Sequence, residues 1–316
     1  MVFLMIGTKR IVVFGFGAQG SAQAKNLADG RRNVSVFLRE KSPRIEFVKK
    51  EGIHLITDIG QAAGDAEIAV ILLPDGEQVA ALKDIESLFP KNAAVIFAHG
   101  FNIHYGLIAP RKDLDIILVG PMAQGEMLRR DFIAGKGTPC QIAIAQDATG
   151  RAKEIAFEYA RSIARDGPFI ETTFAEETEA DLFSEQVVLC GGLFELMRAA
   201  FDTLIEAGYN PDIAYFCCVK EVRALANLAY EHGIAGARER ISDTALFGDL
   251  TRGPRVIDGH VRTEMKKILD DIKSGRFKDD LSKDRKNENR LLRSLLERDK
   301  NHLIEKIHRK FKGGGE

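Results

Sequence analysis

The chain has 316 residues, 45% hydrophobic and 29% charged, which excludes a disordered, collagenous or disulfide-scaffold protein and leaves room for two domains. Its 45 lysines and arginines nearly balance 46 aspartates and glutamates, so no global field favours nucleic acid or an acidic membrane surface. The four cysteines form no CxxC pair, the apolar opening Met1–Gly7 is too short for a secretory signal, and no apolar run approaches the roughly 18 residues of a membrane span, so a reducing, cytosolic compartment is expected.

From Arg10 to about Ile144, short β-branched runs alternate with helix-forming stretches. Strands are predicted at Ile11–Phe14, Val34–Leu38, Ile68–Leu73, Ala94–Ala98, Ile116–Val119 and Ile142–Ala145. Helices are predicted at Ala18–Ala28, Ile45–Lys50 and Gln78–Leu88. Uninterrupted apolar strands suit a parallel sheet covered on both faces, so the first part is expected to be an α/β, doubly wound domain. Beyond about Thr173 the strand-like runs stop and helical periods begin, over Glu176–Ala207, Pro211–His232 and Gly259–Ser274. The expected organisation is a Rossmann-type parallel sheet over residues 1–172 and an all-helical domain over 173–316. The tail from Arg276 carries 13 lysines or arginines against 8 acidic residues and ends in Gly313-Gly314-Gly315, which reads as a solvated helix with a frayed end.

Gly15-Phe16-Gly17-Ala18-Gln19-Gly20 follows the first strand and opens the first helix, the setting in which GxGxxG binds a dinucleotide. The first glycine allows a tight turn, the second lets backbone approach the pyrophosphate, and the third allows close helix–strand packing. At the end of the second strand stands Leu38-Arg39-Glu40-Lys41-Ser42-Pro43-Arg44. Arg39, Ser42 and Arg44 offer charge-assisted hydrogen bonds to a 2′-phosphate, which points to NADPH. Glu40 keeps NADH open, since a carboxylate there would bond the ribose hydroxyls. In the helical half, Asp181 and Glu185 lie four apart among Leu182, Phe183, Val187 and Val188, and a second helix carries Glu221. Three carboxylates from two helices would suit one Mg²⁺; the alternative is that they are exposed or paired with basic side chains.

These segments together resemble the short, class I ketol-acid reductoisomerases along nearly the whole chain. The likeness is carried by Gly15–Gly20, Leu38–Ser42, Ile71–Asp75, Ala98–His104, Glu176–Glu179, Asp181–Phe183, Glu185-Gln186, Leu189–Gly192, Glu206–Tyr209, Ile241–Ala245 and Gly253–Arg255. The resemblance implies NADPH and Mg²⁺ as cofactors. It implies a 2-hydroxy-2-alkyl-3-keto acid such as 2-acetolactate as substrate, an alkyl shift, and reduction of the resulting 2-keto group. It places the dinucleotide on Gly15–Gly20, Arg39, Ser42, Arg44, Leu73, Pro74, Asp75 and His99. It places metal on Asp181, Glu185 and Glu221, and chemistry on His99, Glu221 and Ser242, with the substrate carboxylate at Ser242. It also implies helical domains that intertwine, so that Glu221 serves the active site of a partner subunit in a homodimer or larger homo-oligomer.

Two departures from the family's pattern stand out. Its Pro-Lys-Gly-Pro-Gly segment reads Pro121-Met122-Ala123-Gln124-Gly125 here, and its Tyr-Phe-Glu reads Tyr215-Phe216-Cys217; a following histidine is replaced by Glu126. A cationic donor and a carboxylate ligand of the second metal ion are thereby lost, and a thiolate is a soft ligand poorly matched to Mg²⁺. Both losses weaken alkyl migration more than hydride transfer. Three readings follow: a metal-assisted reductase of small 2-keto acids, a working reductoisomerase with an atypical site, and a silent nucleotide-binding paralogue.

Overall fold

A computed structural model describes residues 6–312; the first five residues and the terminal Gly313-Gly314-Gly315 run lie outside the described residues. The chain divides into two compact units, Met1–Thr178 and Glu179–Glu316.

The first unit is one eight-stranded sheet. In chain order it comprises β1 (Ile11–Phe14), α1 (Ala18–Asp29), β2 (Val34–Phe37), α2 (Ile45–Lys50), β3 (His54–Ile56), α3 (Ile59–Asp65), β4 (Ile68–Ile71) and α4 (Asp75–Ile85). There follow β5 (Ala94–Phe97), α5 (Phe101–His104), β6 (Asp115–Pro121), α6 (Gly125–Ile133), β7 (Cys140–Gln146), α7 (Ala152–Ala164) and β8 (Phe169–Glu171). The order across the sheet is β3-β2-β1-β4-β5-β6-β7-β8. Neighbours are parallel except β6 and β7, which run antiparallel.

The apolar strand runs are explained by two cores, one on each face. Ile11, Val13, Ile68, Val70, Ala94 and Ile96 point into a core completed by Ala24 and Leu27 of α1 and by Ile155 and Tyr159 of α7. Their chain neighbours Val12, Phe14, Ala69, Ile71, Val95 and Phe97 point into the other, with Ala62 of α3 and Leu82 of α4. Successive residues of a strand face opposite ways, so a strand covered on both sides must be apolar at every position. Each such valine, isoleucine or phenylalanine contributes about 1.5–3 kcal/mol relative to exposure.

The second unit is helical among its described residues. It holds the end of α8 (Phe174–Ser184), then α9 (Gly191–Glu206), α10 (Pro211–Tyr215), α11 (Val222–Arg238), α12 (Asp243–Val256), α13 (Gly259–Lys273), α14 (Arg276–Lys286), α15 (Arg290–Lys300) and α16 (Leu303–Phe311). Among the described residues no helix is long and apolar enough to cross a membrane.

The tail differs from the sequence expectation. It is three helices rather than one solvated helix, and the last is docked: Leu303, Ile304 and Ile307 pack against the buried Phe201, Ala214 and Tyr215. The Tyr215 hydroxyl and His308 Nδ1 lie 2.7 Å apart at the same contact. The basic excess masked an apolar stripe at positions 303, 304, 307 and 311, the spacing of one helix face.

Candidate active site

The dinucleotide turn is built at the point where the sheet order reverses. β1 has β2 on one side and β4 on the other, so a crevice opens beyond their carboxyl ends, the usual ligand position in such sheets. Gly15 sits there with φ +108°, and an added Cβ would lie 2.8 Å from the Leu72 carbonyl oxygen. A side chain on Gly20 would collide with the Gly15 carbonyl oxygen. Gly17 has no protein atom within 4 Å of where its Cβ would be, and as N-cap of α1 it offers no side-chain cap. The first amides of α1 therefore face open space at the positive end of the helix dipole, which is what a pyrophosphate requires. The residues present fit a dinucleotide.

The crevice has a volume of about 1040 Å³. Of the residues expected to meet the cofactor, it is lined by Gly15, Phe16, Gly17, Gln19, Arg39, Ser42, Arg44, Leu73, Pro74, Asp75 and His99. Ala18 and Gly20 are not on its wall. The Arg39 side chain is 85% exposed and makes a long ion pair to Glu77 at 3.9 Å. Arg44 is less available, because its guanidinium donates to the Phe16 carbonyl at 2.9 Å and its backbone N–H donates to Ser42 Oγ at 3.3 Å. Glu40 and Lys41 line an adjoining cleft with Arg39, Ser42 and Asp58.

His99 follows β5 and reaches the crevice with Nδ1 3.2 Å from Asp75 Oδ2. Asp75 opens α4 and is held by Gln78, which donates to Asp75 Oδ1 at 3.2 Å and to the Leu73 carbonyl at 2.9 Å. Asn102 in turn donates to Gln78 Oε1 at 2.9 Å and to the Asp75 carbonyl at 3.0 Å. Gln78 and Asn102 are 4% and 2% exposed, so this network is internal. Sequence reasoning gave Gln78 no part in the site, and it named Glu177 only within the matching run Glu176–Glu179, with no role assigned. The buried Glu177 carboxylate accepts the Gly100 N–H at 2.8 Å and the Thr178 hydroxyl at 3.2 Å. A signal existed in the run Glu176-Glu177-Thr178-Glu179, where an acidic residue falls on the apolar face of α8.

In the second unit both helix pairs expected to bear metal ligands carry a π-helical segment. One is Glu185–Leu189, between α8 and α9, and the other Phe216–Lys220, between α10 and α11. The wide turn is visible in the bonds Cys190 N–H to Glu185 C=O at 3.0 Å and Glu221 N–H to Phe216 C=O at 3.1 Å, each five residues apart. It also explains Gly191 and Gly192, where side chains would collide with the Gln186 and Val187 carbonyl oxygens. Such widened turns re-aim side chains and recur at functional sites.

Asp181 lies in the last turns of α8, Glu185 opens the first π segment, and Glu221 closes the second. Glu185 and Glu221 are both exposed in the single chain, as one of the two sequence readings allows. Among the described residues, no set of three His, Cys or acidic ligand atoms within 4.8 Å of one another includes Glu185 or Glu221. Their oxygen chemistry fits Mg²⁺, and among the described residues Asp181, Glu185 and Glu221 do not form such a set of three. Cys217 is exposed inside the second π segment, and burial raises the neighbouring Cys218 above the ordinary thiol range. Ser242 is the N-cap of α12, its Oγ accepting the Ala245 N–H at 3.2 Å. Its hydroxyl proton remains available to an incoming acceptor. Met122 is 54% exposed.

A doubly wound sheet with a glycine-rich turn at its switch point defines the class of dinucleotide-binding proteins. The family model described as acetohydroxy acid isomeroreductase, NADPH-binding domain, matches residues 5–167, and that described as ketol-acid reductoisomerase, C-terminal domain, matches residues 174–313. A solved NADH-preferring ketol-acid reductoisomerase from an uncultured archean is similar at 36% identity and TM-score 0.93, over 97% of this chain and 95% of that one. The chain belongs to the ketol-acid reductoisomerase family and is an NAD(P)-dependent oxidoreductase. Likeness of fold alone extends further. A semialdehyde dehydrogenase NAD-binding protein from Cupriavidus necator matches at 18% identity and TM-score 0.64, over 84% of this chain and 99% of that one. A pyrroline-5-carboxylate reductase from Coxiella burnetii matches at 16% identity and TM-score 0.59, over 84% and 97%.

Proposed function

We propose that this protein reduces small 2-keto acids, including 3-hydroxy-2-keto acids, with NADPH and Mg²⁺, and that its capacity for alkyl migration is reduced. The observation that carries the proposal is the uneven state of the site. The glycine turn is open for a pyrophosphate and His99 is held by Asp75, whereas the resemblance assigns the two departures, Met122 and Cys217, to the metal-assisted half of the reaction. A bound nicotinamide would supply hydride and bound Mg²⁺ Lewis acidity. The chain's own part is to seat the pyrophosphate on the α1 amides, to hold His99 through Asp75 as a polar group beside the reacting oxygens, and to receive the substrate carboxylate at Ser242. Asp181 and Glu185 would hold the first ion. Glu221 would serve a second copy, with Cys217 absent from any Mg²⁺ shell.

Residues 1–172 would then act as the dinucleotide domain and residues 173–316 as the metal, substrate and dimerisation domain. The helical unit exposes large apolar side chains, among them Phe194 at 60%, Ile234 at 68% and Phe247 at 65%. That much apolar surface supports a homodimer with shared active sites; a monomeric mass by light scattering would contradict it. All four cysteines are free, in keeping with a reducing cytosol.

NADPH rests on the open guanidinium of Arg39 beside Ser42. A second reading, NADH, is supported by Glu40 and Asp58 in the adjoining cleft and by the preference stated for the archaeal relative. Titration with both nucleotides separates them, NADPH being expected to bind more tightly.

The direct test of the altered site is the double substitution Cys217→Glu with Met122→Lys. It is expected to raise turnover of 2-acetolactate more than turnover of the already rearranged ketone. No selective gain would mean that these two positions do not limit migration.

A further inference from the structure

A chain of side-chain hydrogen bonds runs from the buried core of the first unit to the loop that carries Met122. The Tyr159 hydroxyl donates to Gln23 Oε1 at 2.7 Å, Gln23 Nε2 donates to Gln19 Oε1 at 3.1 Å, and Gln19 Nε2 donates to the Ala123 carbonyl at 2.8 Å. The backbone carbonyl fixes the direction of the whole series. It can only accept, so Gln19 must turn its NH₂ outward and its oxygen inward; Gln23 must then do the same, and Tyr159 must donate. Tyr159 is 0% and Gln23 1% exposed, and neither lines the crevice, whereas Gln19 does. Burial raises the Tyr159 phenol above its ordinary range, so it stays a donor at any working pH. The backbones are held equally close. A side chain on Gly125, the first residue of α6, would collide with the Ala18 carbonyl oxygen.

We propose that Tyr159 and Gln23 are positioning residues that act through Gln19 to tie the Pro121–Gly125 loop to the glycine-rich turn. Loop order and dinucleotide affinity then rise and fall together. The buried end of the series is costly to leave half-made, because loss of the Tyr159 hydroxyl strands the Gln23 oxygen away from water. Near the divergent position the loop is also held by a backbone bond, from Met122 N–H to the Pro139 carbonyl at 2.8 Å. The glutamine series is thus the tie that reaches the cofactor turn. The consequence for affinity rests on the reading of Gly15–Gly20 as the dinucleotide site; the consequence for loop order does not.

The test is amide hydrogen exchange on the full-length protein without nucleotide, for wild type, Gln23→Met, Tyr159→Phe and the core control Val48→Ala. Gln23→Met keeps side-chain length, and Tyr159→Phe keeps the ring that fills the core, so at least one variant should fold. Both are expected to speed exchange across residues 121–127 about tenfold beyond any global change, while the control speeds exchange without favouring this loop. Loop exchange unchanged in a folded variant, or raised equally by Val48→Ala, would overturn the proposal. In parallel, NADPH affinity is expected to fall about two- to tenfold, the worth of one hydrogen bond, with KM for NADPH rising and kcat little altered. A loosened loop with unchanged NADPH affinity would overturn the coupling. Absence of NADPH binding by wild type would instead fail the dinucleotide reading, and the exchange result would still decide the tie.

Discussion

The carboxylate of Glu177 and the backbone amide of Gly100 are joined at 2.8 Å in a site where Glu177 is only 4% exposed. Gly100 directly follows His99, so a buried carboxyl group on α8 holds the turn that carries the histidine. The fit leaves no room: a Cβ on Gly100 would lie 2.5 Å from Thr178 Oγ1 and 2.9 Å from Glu177 Oε2. A typical intramolecular hydrogen bond contributes about 0.5–1.5 kcal/mol.

Glu177→Gln is therefore expected to lower kcat while leaving dinucleotide affinity close to wild type, since Glu177 lies outside the crevice. His99→Ala should lose about 10²-fold or more in kcat if the imidazole assists proton movement. Steady-state kinetics with nucleotide titration checks both. A fall in nucleotide affinity with unchanged kcat would show that Glu177 serves the cofactor instead.

The glycines of the dinucleotide turn should separate ligand contact from packing. Gly17→Ala meets no protein atom, so its melting temperature should stay at the wild-type value while nucleotide affinity drops. Gly20→Ala forces a collision with Gly15 and should destabilise the fold by about 1–3 kcal/mol. Thermal melts with and without NADPH distinguish the pair; equal destabilisation by both would remove the argument that Gly17 is kept open for pyrophosphate.

Stability should fall with rising pH on the alkaline side. Burial pushes the Cys140 thiol from 9.0 up to about 12 and raises the Tyr159 phenol as well. Between pH 9 and 12 the unfolded chain loses the Cys140 proton while the folded chain keeps it. The folded state then binds more protons, and stability declines by about 1.4 kcal/mol per pH unit for this group. The contribution is fully present below pH 9 and is lost as pH climbs toward 12. Urea unfolding of wild type and Cys140→Ala over this window should show a shallower decline in the variant. Identical slopes would mean that other groups govern alkaline unfolding.

Much of the fold could be read from the sequence because its signals are local. β1 begins and ends where the apolar run does, and the turn glycines announce their geometry by spacing alone. β3 and β8 escaped because each has three residues, carries polar side chains, and sits at a sheet edge where one neighbour is missing. α12 was hidden by Gly248, Gly253 and Pro254. The π segments have no periodic signature; only Gly191-Gly192 hinted at crowded carbonyls. At the candidate site, His99 and Asp75 were both named, but not the bond between them. The contacts of Gln78, Glu177 and the Gln23–Gln19 series could not be read, because they join distant chain segments, which no single-sequence pattern encodes.

The central claim is that the reductive half of the chemistry survives better than the migration half. The most direct measurement is NADPH oxidation with Mg²⁺ and two substrates in parallel, 2-acetolactate and 3-hydroxy-3-methyl-2-oxobutanoate. Turnover of the rearranged ketone well above that of 2-acetolactate is the expected result. Equal turnover of both would contradict the claim and show that Met122 and Cys217 leave migration intact.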